Sequence, residues 1–383
     1  MSVTAAQGFR ASGVTVGLKP SGKPDVALVV NDGPLDAAAA VYTSNRCKAN
    51  PVLWSEKASA DGKVRAVVLN SGGANCYTGP QGFQTTHATA ELVGELLGVG
   101  AGDVVVCSTG LIGLQLPRET LLTGVREAAD ALSANGGDHA AVAIMTTDTV
   151  SKQAVVTRQG WTVGGMAKGA GMLAPALATM LVVLTTDAVV DAAGCDEALR
   201  SAARVTFDRL DSDGCQSTND TVVLMASGAS GITPDPADFV DAVRRVCHDL
   251  AQQLMRDAEG SEHDIAIEVR GAATEDDAVE VGRSIARNNL FKTAVFGKDP
   301  NWGRIMAAVG TTSAAFDPAD LDVAVNGVWV ARKGQPGDDP ATVDLTARDV
   351  HVVVDLKAGD QVATVWTNDL THAYVHENSA YST

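Results

Sequence analysis

Residues 168–181 read KGAGMLAPALATML, a nearly charge-free run that passes through Thr179 into further apolar residues. A threonine hydroxyl is a weak nucleophile unless a base lies beside it, and a chain that begins with threonine carries that base as its own α-amino group. Such an amine titrates near neutral pH, at about 7.7–8.0. The small Ala178 leaves room for the hydroxyl to attack the carbonyl before it. The stretch therefore suggests self-cleavage between Ala178 and Thr179, with the plain start of a buried strand as the alternative.

The length and charge of the chain limit its class. Its 383 residues exceed the about 250–300 at which a single hydrophobic core stops growing, so we expect two or three subdomains. The apolar share of 45% and the charged share of 20% are typical of globular proteins. A net charge of −17 argues against nucleic acid as the main partner, since that needs clustered Lys and Arg. An anionic substrate would need a local cation, for which Lys168 is a candidate.

The cysteines and the amino terminus indicate the cellular compartment of the protein. Six cysteines are scattered without a C-x-x-C pair or a histidine at metal-ligand spacing, which predicts reduced structural thiols and no metal. The first residues lack the basic and then apolar pattern of a signal peptide, and no run of about 18 apolar residues occurs. We therefore expect a cytoplasmic protein, and no cofactor.

Apolar periodicity predicts both strands and helices. Short apolar runs bounded by glycine and proline predict strands at 25–30, 64–69, 103–107, 180–184, 221–225 and 264–269, and a hairpin at 153–157 and 161–163. Helical spacing predicts helices at 83–97, 119–132, 196–210, 239–254 and 276–290. Later runs at 352–356 and 362–366 predict a small carboxy-terminal sheet.

Four segments follow predicted elements and contain residue types that binding or catalysis could use. Residues 70–76, NSGGANC, let the backbone approach another group closely, or form an ordinary turn. The hydroxyl of Thr109 and the N–H of Gly110 could form an oxyanion hole at the end of a strand, although Ser-Thr-Gly is also a common turn. Glu259 is a substrate contact or a solvated helix end. The acidic loop 211–220 lacks the glutamate that a calcium loop needs at its twelfth position, so we assign it no metal.

Six segments, taken in order, resemble the ornithine acetyltransferase family of arginine biosynthesis, also called the bifunctional glutamate N-acetyltransferase family. The resemblance runs the length of the chain. The segments are NSGGAN (70–75), STG (108–110), MTTDT (145–149), KGAGM (168–172) with ATML (178–181), STND (217–220) and DPNWGR (299–304).

The resemblance implies an α+β fold of the amino-terminal-nucleophile-like type. It is an αββα layered sandwich with a smaller carboxy-terminal α+β subdomain. Self-cleavage between Ala178 and Thr179 would give an α chain, 1–178, and a β chain, 179–383, which pair as an α2β2 heterotetramer. Within the β chain, about 179–275 would complete the sandwich and a middle subdomain, and about 276–383 would form the carboxy-terminal subdomain.

The resemblance also implies a ping-pong acyltransferase. Thr179 would take the acetyl group of N2-acetyl-L-ornithine and pass it to L-glutamate, and bifunctional members also use acetyl-CoA as a co-substrate. Thr109 and Gly110 would supply the oxyanion donors, Lys168 would meet the α-carboxylate and Glu259 the δ-ammonium. The implied substrate-binding residues are Thr146, Lys168, Thr179, Glu259, Asn378 and Thr383. The alternatives are a self-processing amidase or aminopeptidase, and an uncut, non-catalytic binding protein.

Overall fold

The structure is a computed structural model and describes residues 2–174 and 180–380. Their strands are β1 (Phe9–Val14), β2 (Val26–Asn31), β3 (Ala37–Tyr42), β4 (Ala66–Asn70), β5 (Val104–Ser108), β6 (Lys152–Thr157), β7 (Thr162–Lys168), β8 (Leu181–Thr186), β9 (Thr221–Ala226), β10 (Asp264–Ala272), β11 (Asp322–Val325), β12 (Val328–Arg332), β13 (Gln335–Pro336), β14 (Asp349–Asp355) and β15 (Gln361–Asn368). Their helices are α1 (Asn50–Ala58), α2 (Gly79–Leu97), α3 (Arg118–Asp130), α4 (Gly137–Ala143), α5 (Ala192–Val205), α6 (Pro236–Arg256), α7 (Glu275–Ala286), α8 (Asn289–Phe296), α9 (Trp302–Val309) and α10 (His372–Ala380).

Two sheets pack face to face at the centre of the larger part of the molecule. The first has the strand order β1-β2-β4-β5 and the second has the order β3-β9-β8-β7-β6. Their inner faces share one core, to which Val29 and Leu69 contribute from one sheet and Val183 and Met225 from the other. The intervening residues of the same strands point outward into cores formed with helices. Strands β2, β4, β5, β8 and β9 are buried on both faces, so they are nearly continuous apolar runs in the sequence.

Helices cover the outer face of each sheet. Helices α2 and α3 pack on the first sheet, and α5 and α6 pack on the second. Helix α6 presents the predicted apolar stripe, and its start is set by Asp235, whose carboxylate accepts hydrogen bonds from the N–H groups of Ala237 and Asp238. The resulting order of layers is helix, sheet, sheet, helix. This order confirms the expected α+β class and the αββα sandwich.

A third sheet forms the carboxy-terminal unit. Its strand order is β13-β12-β11-β14-β10-β15, and α7, α8 and α9 share its core. The first strand of this sheet in chain order is β10, which begins at Asp264. Strand β10 belongs to it because it pairs in parallel with β14 and antiparallel with β15. The periodicity of residues 264–269 predicts a strand but does not reveal its partners.

Two predicted helices end earlier than expected. The helix predicted at 276–290 is two helices, because α7 stops at Ala286 and the side chain of Asn288 accepts a hydrogen bond from the N–H of Phe291 to begin α8. The helix predicted at 196–210 ends at Val205 and is followed by the 3-10 turn Phe207–Arg209.

Across residues 2–174 and 180–380, the structure contains no helix with the length and apolarity that crossing a membrane requires.

The carboxy-terminal unit is joined to the sandwich beside the loop 211–220. The N–H of Asp211 donates to the carbonyl of Trp366 over 2.8 Å, and the hydroxyl of Ser212 donates to Asn368 over 2.9 Å. These contacts fix the end of β15 against the sandwich. Helix α10, which follows β15, is thereby brought to the same edge.

Candidate active site

A cavity of about 580 Å³ opens where the two units meet, and it contains the candidate residues that the structure describes. These are Thr109, Gly110, Thr146, Lys168, Glu259 and Asn378. They come from the end of β5, the segment after α4, the end of β7, the segment after α6, and α10. The predicted nucleophile Thr179, its neighbour Ala178 and the predicted substrate contact Thr383 lie outside the described residues.

Thr109 is held by the loop that follows β4. Its N–H donates to the carbonyl of Asn70 over 3.0 Å, and its carbonyl accepts from the N–H of Gly73 over 2.9 Å. The side-chain hydroxyl of buried Thr109 accepts a hydrogen bond from the ammonium of Lys168 over 3.1 Å. The predicted oxyanion donor and the predicted carboxylate-binding residue are therefore in direct contact.

The glycines around Thr109 are required by close backbone approach. Gly110 has a φ of 127°, and a Cβ atom there would lie 2.8 Å from the backbone nitrogen of Gly73. A Cβ atom on Gly72 would lie 2.4 Å from the Cβ of Leu18. The close approach predicted for residues 70–76 is thus made to other parts of the protein, and Gly72 and Gly110 also line the cavity.

Asn219 ties the STND segment to this corner. Its amide nitrogen donates to the carbonyl of Ala74 over 2.6 Å and to that of Ser108 over 2.8 Å. Asn70 adds a second brace, because its amide donates to the carbonyl of Gly73 over 3.2 Å and accepts from the hydroxyl of Ser108 over 2.6 Å. Both amides are buried, so the corner is rigid without a regular element.

A buried charge cluster supports the Lys168 end of the cavity. The carboxylate of Asp148 accepts hydrogen bonds from the N–H of Gly169 over 2.7 Å and from the N–H of Thr146 over 2.9 Å. It also pairs with the ammonium of Lys152 over 2.6 Å, and Lys152 pairs in turn with Asp257 over 2.6 Å. Asp148 therefore holds two backbone segments that carry substrate-binding candidates.

The cluster changes the pKa of its members. Burial by itself would raise the pKa of Asp148, but the charges of Lys168 and Lys152 outweigh it and lower that pKa to about 2. Burial lowers the pKa of Lys168, and the charge of Asp148 opposes the change. The carboxylate of Asp148 is therefore charged at neutral pH and stabilises the two ammonium groups beside it.

Glu259 and Asn378 form the acidic end of the cavity. The N–H of Glu259 donates to the carbonyl of Ala170 over 2.9 Å, which places Glu259 beside the glycine stretch that follows β7. The amide of Asn378 donates to the carboxylate of Glu259 over 3.0 Å. Glu259 is half-buried and lines the cavity, so it is not merely a solvated helix end.

Asp220 contacts Met180, which is the first described residue after Thr179. The N–H of Met180 donates to the carboxylate of Asp220 over 3.0 Å. Asp220 is fully buried, and burial raises its pKa well above the usual range. Strand β8 then begins at Leu181, which agrees with the strand predicted at 180–184.

Several residues of the site carried no predicted role. Asp148 lies in the MTTDT segment and Asn219 in the STND segment, but only their buried contacts reveal what these two side chains do. Lys19 and Tyr374 also line the cavity, and no motif signalled Lys19. The DPNWGR segment is a structural corner, since Asn301 caps α9 and Arg304 donates to the carbonyl of Leu290 over 2.6 Å.

Comparisons with known proteins show the family of this chain. The model of the ArgJ family matches residues 10–383. The chain is 66% identical over 382 residues to the arginine biosynthesis bifunctional protein ArgJ of Streptomyces coelicolor, covering 100% of both chains. It is 63% identical over 383 residues to the protein of the same name from Thermobifida fusca, again covering 100% of both.

A solved structure is also similar over part of the chain. It is the ornithine acetyltransferase of Mycobacterium tuberculosis complexed with ornithine, 54% identical, which covers 47% of this chain and 96% of that one with a TM-score of 0.45. The fold, the cavity and the relatives together define an enzyme of the acyltransferase class. The chain belongs to the ArgJ family, as the match over residues 10–383 shows.

Proposed function

We propose that the protein transfers an acetyl group from N2-acetyl-L-ornithine to L-glutamate through an acetyl-Thr179 intermediate. The observation that carries this proposal is a single cavity lined by both Lys168 and Glu259. N2-acetylornithine has one carboxylate and one side-chain ammonium, so it needs one cation and one anion. The names of the relatives support the same activity.

The first step is self-cleavage. The hydroxyl of Thr179 attacks the carbonyl carbon of Ala178, the peptide C–N bond breaks, and the acyl group moves from nitrogen to oxygen. Water then hydrolyses the ester, which releases the carboxylate of Ala178 and frees both the hydroxyl and the α-amine of Thr179. This amine is the base that the second role of Thr179 requires.

The first half-reaction forms the acetyl-enzyme. The amine takes the proton of the Thr179 hydroxyl as its oxygen attacks the acetyl carbonyl, and the oxyanion is stabilised by the hydroxyl of Thr109 and the N–H of Gly110. The amide C–N bond breaks and the proton passes to the α-nitrogen of ornithine, which leaves. Lys168 and Thr146 hold the α-carboxylate, while Glu259 with Asn378, and Thr383, hold the side-chain end.

The second half-reaction returns the enzyme to its starting state. The amine of glutamate attacks the acetyl ester, the C–O bond to Thr179 breaks, and the hydroxyl regains its proton as N-acetylglutamate leaves. Acetyl-CoA would enter at the first half-reaction as a second donor, with its thiol as the leaving group. We further propose that the two chains stay paired as α2β2, act in the cytoplasm, and need no metal or cofactor.

Intact-mass analysis combined with an acetyl-transfer assay tests the proposal. We expect two chains, the second beginning at Thr179, and one acetyl group gained on the second chain after incubation with N2-acetylornithine. Glutamate should then remove that group as N-acetylglutamate. Thr179→Ala should remain one uncut, inactive chain. Release of free acetate at the same rate without glutamate would instead identify an amidase.

A further inference from the structure

The two substrates place opposite charges in the same cavity. Ornithine ends in an ammonium, which Glu259 attracts, whereas glutamate ends in a second carboxylate, which Glu259 repels. If Lys168 holds the α-carboxylate of both, the γ-carboxylate of glutamate still needs a cation. This reasoning rests on the proposed function, because it assumes that both molecules bind in turn.

Lys19 is a second cation in the cavity. Among the described residues that line it, Lys19 and Lys168 are the basic ones. The ammonium of Lys19 donates to the carbonyl of Met145 over 2.8 Å, next to the substrate-binding candidate Thr146. An ammonium has three donors, so this neutral carbonyl uses one of them. Within residues 2–174 and 180–380, the ion pairs observed do not include Lys19.

The loop that carries Lys19 is held by a buried carboxylate. Asp25 accepts hydrogen bonds from the backbone N–H groups of Val16, Gly17, Leu18 and Lys19 over 2.9, 3.0, 2.7 and 3.3 Å. Because the carboxylate is engaged by these amides, it orders the loop and does not form a direct ion pair with the lysine. The loop therefore presents the Lys19 side chain to the cavity from a rigid backbone.

We propose that Lys19 binds the γ-carboxylate of the acceptor glutamate, while Lys168 binds its α-carboxylate. Glu259 and Lys19 would then serve the two substrates separately. Burial lowers the pKa of Lys19 to about 8, with the charge of Asp25 opposing the change, so the ammonium is still protonated at neutral pH. Its side chain is half-buried, where a charged hydrogen bond is stronger than at the open surface.

The test compares two acceptors in the cleaved, full-length enzyme. Glutamine has the shape of glutamate without the γ charge, so its use should not depend on Lys19. We expect Lys19→Gln, which keeps a donor for the carbonyl of Met145, to lower kcat/KM for glutamate about 10- to 100-fold and to leave glutamine nearly unchanged. Lys19→Arg should keep most of the preference for glutamate. Lys23→Gln, on the exposed part of the same loop, should change neither value.

Three outcomes would overturn the proposal. One is an unchanged ratio of glutamate to glutamine use in Lys19→Gln. Another is an equal loss with both acceptors, which would mean a purely structural role. A third is an increased KM for acetyl-CoA with an unchanged acceptor ratio, which would assign Lys19 to the phosphates of that donor. Formation of the acetyl-enzyme from N2-acetylornithine separates the two proposals, since wild-type protein that fails at this step refutes the proposed function itself.

Discussion

The ammonium of Lys168 donates its hydrogen bond to the hydroxyl oxygen of Thr109 over 3.1 Å, and both side chains are buried. An ammonium has no acceptor, so the Thr109 oxygen must accept, and the single hydroxyl hydrogen is left to point elsewhere. Lys168 therefore orients the hydroxyl that we propose as an oxyanion donor. The same lysine also binds the substrate carboxylate in our proposal, which would couple binding to the orientation of that donor.

Replacing Thr109 tests this donor. Thr109→Val keeps the shape of the side chain but removes the hydroxyl, and we expect kcat to fall about 10²- to 10³-fold because one oxyanion donor is lost. Thr109→Ser keeps the hydroxyl and should retain most of the activity. Steady-state transfer from N2-acetylornithine to glutamate measures both, after intact mass has established that each variant is cleaved. A fully active Thr109→Val enzyme would rule out the hydroxyl as a donor.

Gly110 is expected to tolerate no side chain. Gly110→Ala combines an unfavourable φ of 127° with a Cβ atom 2.8 Å from the nitrogen of Gly73, so it should lower both the Tm and kcat. Gly113 is the matched control, since its φ is 88° and a Cβ atom there meets nothing within 4 Å. Gly113→Ala should show only backbone strain of about 1–3 kcal/mol in the free energy of unfolding. Equal losses in the two variants would contradict the clash.

Asp148 is expected to be a positioning residue. Asp148→Asn breaks a buried ion pair, which typically costs about 3–5 kcal/mol in the free energy of unfolding. It also presents an amide N–H group to the N–H of Gly169 or Thr146, so we expect KM for N2-acetylornithine to rise. Asp257→Asn breaks the other contact of Lys152 without touching Gly169, and it should destabilise the protein with a smaller effect on KM. Denaturant unfolding and steady-state kinetics measure the two effects, and equal changes in KM would contradict the role.

Asp220 is expected to assist self-cleavage by holding Met180, the residue after Thr179. Asp220→Ala leaves the buried N–H of Met180 without its acceptor, which costs about 1–3 kcal/mol, so the uncut chain should accumulate. Asp220→Asn should cleave nearly normally, because asparagine keeps an acceptor oxygen for the N–H of Met180 and burial, which raises the pKa of Asp220, favours a neutral side chain at this position. A time course of intact mass after expression compares them. Cleavage of Asp220→Ala at the wild-type rate would refute this role.

The preference for glutamate over glutamine should depend on pH. The pKa of Lys19 is about 8, so the side chain is charged below that pH and neutral above it. Asp25 and Asp148 raise this pKa, while Lys23 and Lys168 lower it. The ratio of kcat/KM for the two acceptors should therefore fall as pH rises through about 8, toward the ratio of Lys19→Gln. Lys19→Arg should show no fall, since its guanidinium stays protonated. Taking the ratio cancels the titration of the Thr179 amine, which both acceptors share.

The strands and helices were predictable because burial leaves a local pattern. Strands β2, β4, β5, β8 and β9 are apolar on both faces, and α6 shows a single apolar stripe, so each appears as a run or a period in the sequence. Pairing was not predictable in the same way. Strand β10 has the alternation of any half-buried strand, and its parallel partner β14 lies far along the chain. The same limit applies to the break at Asn288, where a single side-chain cap ends one helix and starts the next.

The sequence by itself determined the candidate residues, the glycine-rich loops and the family, because these depend on residue types in a fixed order. Only the tertiary structure decided that Glu259 and Asn378 reach the cavity of Lys168, since Glu259 is held against the segment after β7 and Asn378 is brought there by the carboxy-terminal unit packing on the sandwich. It alone revealed Asp148 as the support of Thr146 and Gly169, and Lys19 as the second cation. The physical reason is that the role of a charged residue depends on the residues around it in space, and those residues are distant in the chain.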